Sequence, residues 1–167
     1  MTDLQKLNEL GKEDAAEIFS ECCGTRLWIN EMVDARPFNT NHHILESAEK
    51  IWKALDKKDW LEAFQHHPKI GDINSLKEKY SSSGELAKKE QSGVNIASVE
   101  VLQEMAKLNN EYEKKFGYIF IICATGKTAD EMLSIIKNRI ANDPCSEIMI
   151  AMEEQNKITK LRLEKLL

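Results

Sequence analysis

Apolar residues recur at three- and four-residue spacing through almost the whole chain, with polar residues filling the positions between them. That is the pattern of amphipathic helices, and no run of alternating strand positions accompanies it. The clearest stripe is Leu102, Met105, Leu108, Tyr112 and Phe116. Helix starts are legible where a capping oxygen stands three residues ahead of an acid or amide: Thr2 in TDLQ, Asp59 in DWLE, Ser75 in SLKE and Thr128 in TADE. Stops fall at Gly11, Gly24, Pro37, Pro68, Gly93 and Gly117. Together they predict helices near 3–10, 13–23, 26–35, 42–55, 60–66, 75–80, 85–91, 98–116, 129–141 and 144–165. The expected fold is all-α, a single-domain helical bundle of eight to ten helices covering residues 1–167.

One stretch breaks the pattern. YIFIICA, residues 118–124, is β-branched and aromatic, apolar on every side, and too short for a helix unless wholly buried. It predicts a short buried extended or irregular segment at the centre of the bundle.

Composition narrows the class. The chain has 167 residues, enough for one sizeable core, and its 42 % hydrophobic and 31 % charged residues are the balance of a globular protein. The net charge is -5 with both signs mixed along the length, so no basic face is offered to phosphates and no nucleic acid partner is expected. No apolar run approaches the roughly 20 residues that span a bilayer, and the amino end, MTDLQKLNELGKED, lacks the apolar centre of a secretory signal. The final LEKLL carries no peroxisomal or retention address, so the expected location is cytoplasmic, away from any membrane. Cysteines at 22, 23, 123 and 145 have no C-x-x-C spacing and read as reduced, mostly buried thiols.

Four groups of residues carry candidate chemistry. The histidine pairs 42–43 and 66–67 suggest metal at first sight. Neighbours on a helix point about 100° apart, whereas chelating pairs sit four apart on one face, so no metal site is expected. His42 and His43 read as polar residues at an exposed helix start beside Asn41. His67 differs, because Pro68 bars a helical continuation and the following KIGD turns the chain, which presents the ring at a helix end. A plain turn explains the same residues equally well. KKEQSG, residues 88–93, places Glu90 and Gln91 before Gly93, where a solvated charge cluster is the simpler account. Arg162 lies four residues from both Ile158 and Leu166, on an apolar stripe, either with its guanidinium reaching water or holding a carboxylate. ATGKT at 124–128 looks like the end of a phosphate loop, but the glycine needed five residues before Gly126 is Ile121.

Five stretches, in order, resemble the 2-oxo-4-hydroxy-4-carboxy-5-ureidoimidazoline (OHCU) decarboxylases of purine breakdown. They are CCGTRLWINEM with ARPF, AFQHHPKIGD, KKEQSG, LNNEYEKKFGYIFIICATGK and KITKLRLEKL, and they run almost from end to end. The resemblance implies a helical homodimer that needs no metal or organic cofactor. It implies a small ureide substrate, converted to (S)-allantoin and carbon dioxide. It makes His67 the catalytic histidine, Glu90 its acidic partner, and Arg162 the holder of the substrate carboxylate. Pro68, Ala87, Gln91 and the backbone of Ile121, Ile122, Cys123, Ala124 and Thr125 are then the substrate-binding surface. Ala87 departs from the family pattern, in which a serine stands three residues before the glutamate. That departure supports an alternative, a helical module that binds a ureide or a partner protein without the chemistry. A metal-dependent hydrolase built on the histidine pairs ranks last.

Overall fold

The computed structural model describes residues 3–67 and 98–167. Among them the chain is helical with no strand. Eight helices follow in order: α1 (Asp3–Glu9), α2 (Lys12–Cys22), α3 (Arg26–Asp34), α4 (Asn41–Ala54), α5 (Lys57–Gln65), α6 (Val99–Phe116), α7 (Ala129–Arg139) and α8 (Pro144–Leu166). The helices expected at 75–80 and 85–91, with the cap at Ser75, lie outside the described residues.

The caps explain most of the boundaries. Thr128 Oγ1 accepts from the Glu131 amide while Glu131 Oε2 accepts from the Thr128 amide at 2.8 Å, the reciprocal pairing that TADE predicts. Ser98 and Thr40 cap α6 and α4 through their side chains alone, accepting from the amides of Val101 and His43. Gly117 ends α6 with φ 81°, a left-handed turn that lets its amide donate to Glu113. Asp59 is a correction. It does not start α5 but serves as the third-residue acid of a box whose cap is Asp56, so the helix begins at Lys57, three residues earlier than expected. Two aspartates three apart satisfy the motif from either end, and the earlier one gains the additional turn.

Two compact units divide the described residues. The first holds 3–67, Ile121–Cys123 and Ile148–Leu167. Its core is aromatic: Phe19 packs edge-on against Trp28 and Phe38, and Trp52 sends its indole N–H to the Met152 carbonyl of α8 at 3.0 Å. ARPF has a clear function here. Arg36 donates to the carbonyls of Leu7 in α1 and of Leu10 just after it, both at 2.9 Å, and Phe38 exchanges two backbone hydrogen bonds with the Asn8 side chain.

The second unit holds 98–120 and Ala124–Glu147. At its centre the Glu147 carboxylate, fully buried, accepts from Tyr112 Oη at 2.5 Å, Arg139 Nε at 2.8 Å and Asn142 Nδ2 at 2.9 Å. The Arg139 guanidinium also stacks over Phe120, 4.6 Å from the ring centre. Residues 118–124 are irregular, as their composition predicts, with Tyr118, Ile121 and Cys123 buried. Among the described residues no helix is long and apolar enough to cross a membrane.

Candidate active site

His67 stands just beyond the end of α5, where its amide donates to the Phe64 carbonyl at 3.2 Å. Its ring is half-buried, and Nε2 is hydrogen-bonded to Oε1 of Gln155. Gln155 is only 1 % exposed, and its Nε2 donates to Thr159 Oγ1, one helical turn further along α8, at 3.1 Å.

Arg162 has backbone partners that neither expected form includes. Its Nη1 donates to the carbonyls of Glu21 and Cys22, at 3.3 and 3.2 Å. Those are among the last carbonyls of α2, which have no partner inside their own helix and form its negative end. The guanidinium therefore caps α2, and among the described residues no carboxylate lies within ion-pair distance of it.

One cavity of about 650 Å³ brings these side chains together. His67, Arg162, Gly24 and His66 all line it, with Glu21 and Cys22 of α2. Gly24 is expected only as a helix stop, but α2 ends one residue earlier, with Cys23 in extended backbone. The missing side chain at Gly24 serves a contact: a Cβ there would stand 2.3 Å from Cγ of His66. The cavity wall is thus closed by a side chain that only a glycine admits.

The segment Ile121–Cys123 belongs to the same unit. Its Cys123 amide donates to Glu154 Oε2 at 2.7 Å, and Glu154 is held from its other oxygen by Lys157 at 2.5 Å. Glu154 and Gln155, adjacent on α8, therefore engage two separate parts of the expected site. Ala124 and Thr125 fall in the second unit, in a turn closed by the Lys127 amide on the Ala124 carbonyl at 3.1 Å. Pro68, Ala87, Glu90 and Gln91 lie outside the described residues.

His42 pairs with Glu46 at 3.0 Å, and His43 Nδ1 accepts from the Asn39 amide while its ring meets the edge of Phe38. Among the described residues no group of three or more His, Cys, Asp or Glu side chains is arranged to hold a metal ion. No disulfide joins any of the four cysteines, and only Cys145 is exposed. Burial pushes the thiols of Cys22 and Cys23 up to about 11, so both stay protonated near neutral pH.

Gln155, Thr159, Glu154 and Gly24 are not among the expected site residues. A signal for two of them is present in the sequence. The buried stripe of α8 runs Ile148, Met152, Gln155, Thr159 and Leu163, so two polar residues occupy positions that helical spacing assigns to the core.

A family model described as OHCU decarboxylase matches residues 8–164. The chain is 38 % identical over 159 residues, 95 % of its length, to the uric acid degradation bifunctional protein TTL of Arabidopsis thaliana, and spans about half (48 %) of that relative. It is 26 % identical over 171 residues to the 2-oxo-4-hydroxy-4-carboxy-5-ureidoimidazoline decarboxylase of Amia calva, covering 99 % of this chain and 94 % of the relative. Among solved structures, a crystal structure of OHCU decarboxylase in the presence of (S)-allantoin superposes with a TM-score of 0.74 at 39 % identity, covering 90 % of this chain and 96 % of the other.

Proposed function

Because the chain belongs to the OHCU decarboxylase family, we propose that it removes carbon dioxide from 2-oxo-4-hydroxy-4-carboxy-5-ureidoimidazoline to give (S)-allantoin, a step of urate breakdown. The observation that supports this reading most directly is the shared cavity, which places an imidazole and a guanidinium on one wall system.

In the substrate the departing carboxylate sits on a carbon next to a C=N bond. When the C–C bond breaks, its electron pair moves into that C=N and onto the ring nitrogen, so the substrate carries its own electron sink and needs no pyridoxal or thiamine. An enol-like intermediate remains. Its hydroxyl becomes the carbonyl of allantoin as the adjacent carbon takes up a proton on one face.

Three tasks then fall to the protein. Arg162, fixed by the α2 carbonyls at one end of its fork, offers its remaining N–H groups to the carboxylate. His67 moves the proton, since an imidazole is a group that can both give and accept one. Glu90, as the acidic partner the resemblance implies, orients the ring and favours its charged form. Pro68, Ala87, Gln91 and the 121–125 backbone complete the proposed ureide surface. A further part of the reading is that residues 1–167 act as one domain, without a cofactor, in a cytoplasmic homodimer. The family match running from 8 to 164 supports the single domain, and sedimentation velocity tests the dimer.

The deciding assay generates the substrate in situ from urate with the two preceding enzymes and follows the circular dichroism of (S)-allantoin. The expected result is one enantiomer formed well above the uncatalysed rate, and about 10²–10⁴-fold slower turnover for His67→Ala. Racemic allantoin at the uncatalysed rate overturns the activity. Tight binding of the ureide without turnover would instead favour the binding module that Ala87 suggests.

A further inference from the structure

We propose that Gln155, backed by Thr159, is a positioning residue that fixes the tautomer of His67, so that Nε2 carries a hydrogen throughout turnover and the proton exchanged with substrate moves through Nδ1. The inference rests on the acid-base role proposed for His67 above.

The direction of each hydrogen bond follows from what each atom can do. The Thr159 hydroxyl, 3 % exposed, has oxygen lone pairs to offer a donor. Gln155 Nε2 donates to it, so the amide oxygen faces His67. An amide oxygen only accepts. The imidazole nitrogen against it must therefore bear a hydrogen, in the neutral ring as well as in the imidazolium.

In this orientation the amide oxygen and the amide nitrogen each have a partner in a fully buried position. The α-helix enforces the pairing, since residues four apart lie on the same face. The acceptor is also uncharged. A carboxylate in its place would fix the same tautomer but stabilise the imidazolium, whereas the amide selects the tautomer while adding no charge. Among the described residues, the charged or titratable side chains that share the cavity with His67 are Glu21 and Cys22 of α2, His66 after α5, and Arg162 and Lys165 of α8. None of these is altered in the variants below.

The test is long-range ¹H–¹⁵N correlation on histidine-labelled protein, with His67 assigned by the signals lost in His67→Gln. The expected neutral-state pattern is a pyrrole-like Nε2 and a pyridine-like Nδ1. Gln155→Glu keeps the acceptor and adds charge, so the tautomer persists while the His67 midpoint and the acidic limb of kcat/KM both rise by about one unit. Gln155→Leu removes the acceptor, so the neutral ring is no longer held in one tautomer and shows a mixture, and kcat falls roughly 10- to 100-fold with little change in KM. Thr159→Val frees the amide to turn and gives a mixture. An Nδ1–H ring in the parent protein overturns the proposal, as does a Gln155→Leu protein whose His67 signals and kcat match the parent. If Gln155→Leu does not fold, the parent spectrum and the Gln155→Glu titration decide alone. The spectra need no turnover, so a protein inactive on the ureide would sink the decarboxylase reading yet still answer the tautomer question.

Discussion

At Gly24 a single hydrogen in place of a side chain lets the chain lie against His66, the neighbour of the proposed catalytic histidine. The atoms that an added methyl would strike are Cβ and the ring base of His66, which cannot swing away as the tip of a long side chain would. Gly24→Ala is therefore expected to cost about 1–3 kcal/mol in urea unfolding and to lower kcat by displacing the end of α5. An unchanged unfolding midpoint would show that the contact relaxes freely. The thiols give a second check at this scale. With Cys22 and Cys23 protonated near neutral pH and Cys123 buried, Ellman's reagent at pH 8 should titrate Cys145 quickly and the other three only after denaturant is added. Two rapid equivalents would contradict this. Residue types announced His67 and Arg162 because a proline and an apolar stripe marked them. They did not announce Gly24, since a stop and a close approach look alike in sequence.

Helices were legible because spacing and caps are local, and local interactions leave local signatures. The exception at α5 has a local cause as well, two aspartates in competing register. What spacing does not reveal is a pair such as Arg139 and Glu147, brought together from the end of α7 and the first turn of α8. Their side chains are 8 % and 0 % exposed and 2.6 Å apart. Removing one member leaves the other charged and buried, so Glu147→Ala should lose about 3–5 kcal/mol, measured by guanidinium unfolding. A loss below about 1 kcal/mol would mean that water replaces the carboxylate. The polar residues on the buried stripe of α8 were visible but unassigned, because a glutamine within MEEQNK reads as surface until its partner, 88 positions away, is known.

For the molecule as a whole, the buried cluster makes stability depend on pH in a defined direction. Burial first, and then the hydrogen bond to Glu147, hold the Tyr112 phenol neutral well above its ordinary value near 10. The unfolded chain releases that proton near pH 10, so above it the native state binds more protons than the unfolded one. Stability from this group is thus full below about pH 10 and falls as the pH rises further. Thermal melts between pH 8 and 11 should show that decline, and Tyr112→Phe should flatten it. Equal slopes in both proteins would remove Tyr112 from the account. Topology was the least legible level: no periodicity states that three residues, Ile121–Cys123, leave one unit for the other. The part of α8 that belongs to the first unit has a further consequence. Gln155, Thr159 and Arg162 sit at first, fifth and eighth places of one helical face, so the span of about 10 Å from the histidine's support to the guanidinium is metered by backbone rise. Such a gauge tolerates substitution far better than a change of length. One residue inserted between Thr159 and Arg162 would turn the guanidinium by about 100° away from the carbonyls of α2. Lineages carrying this site should therefore vary the tail of the helix freely while keeping the count between these three positions.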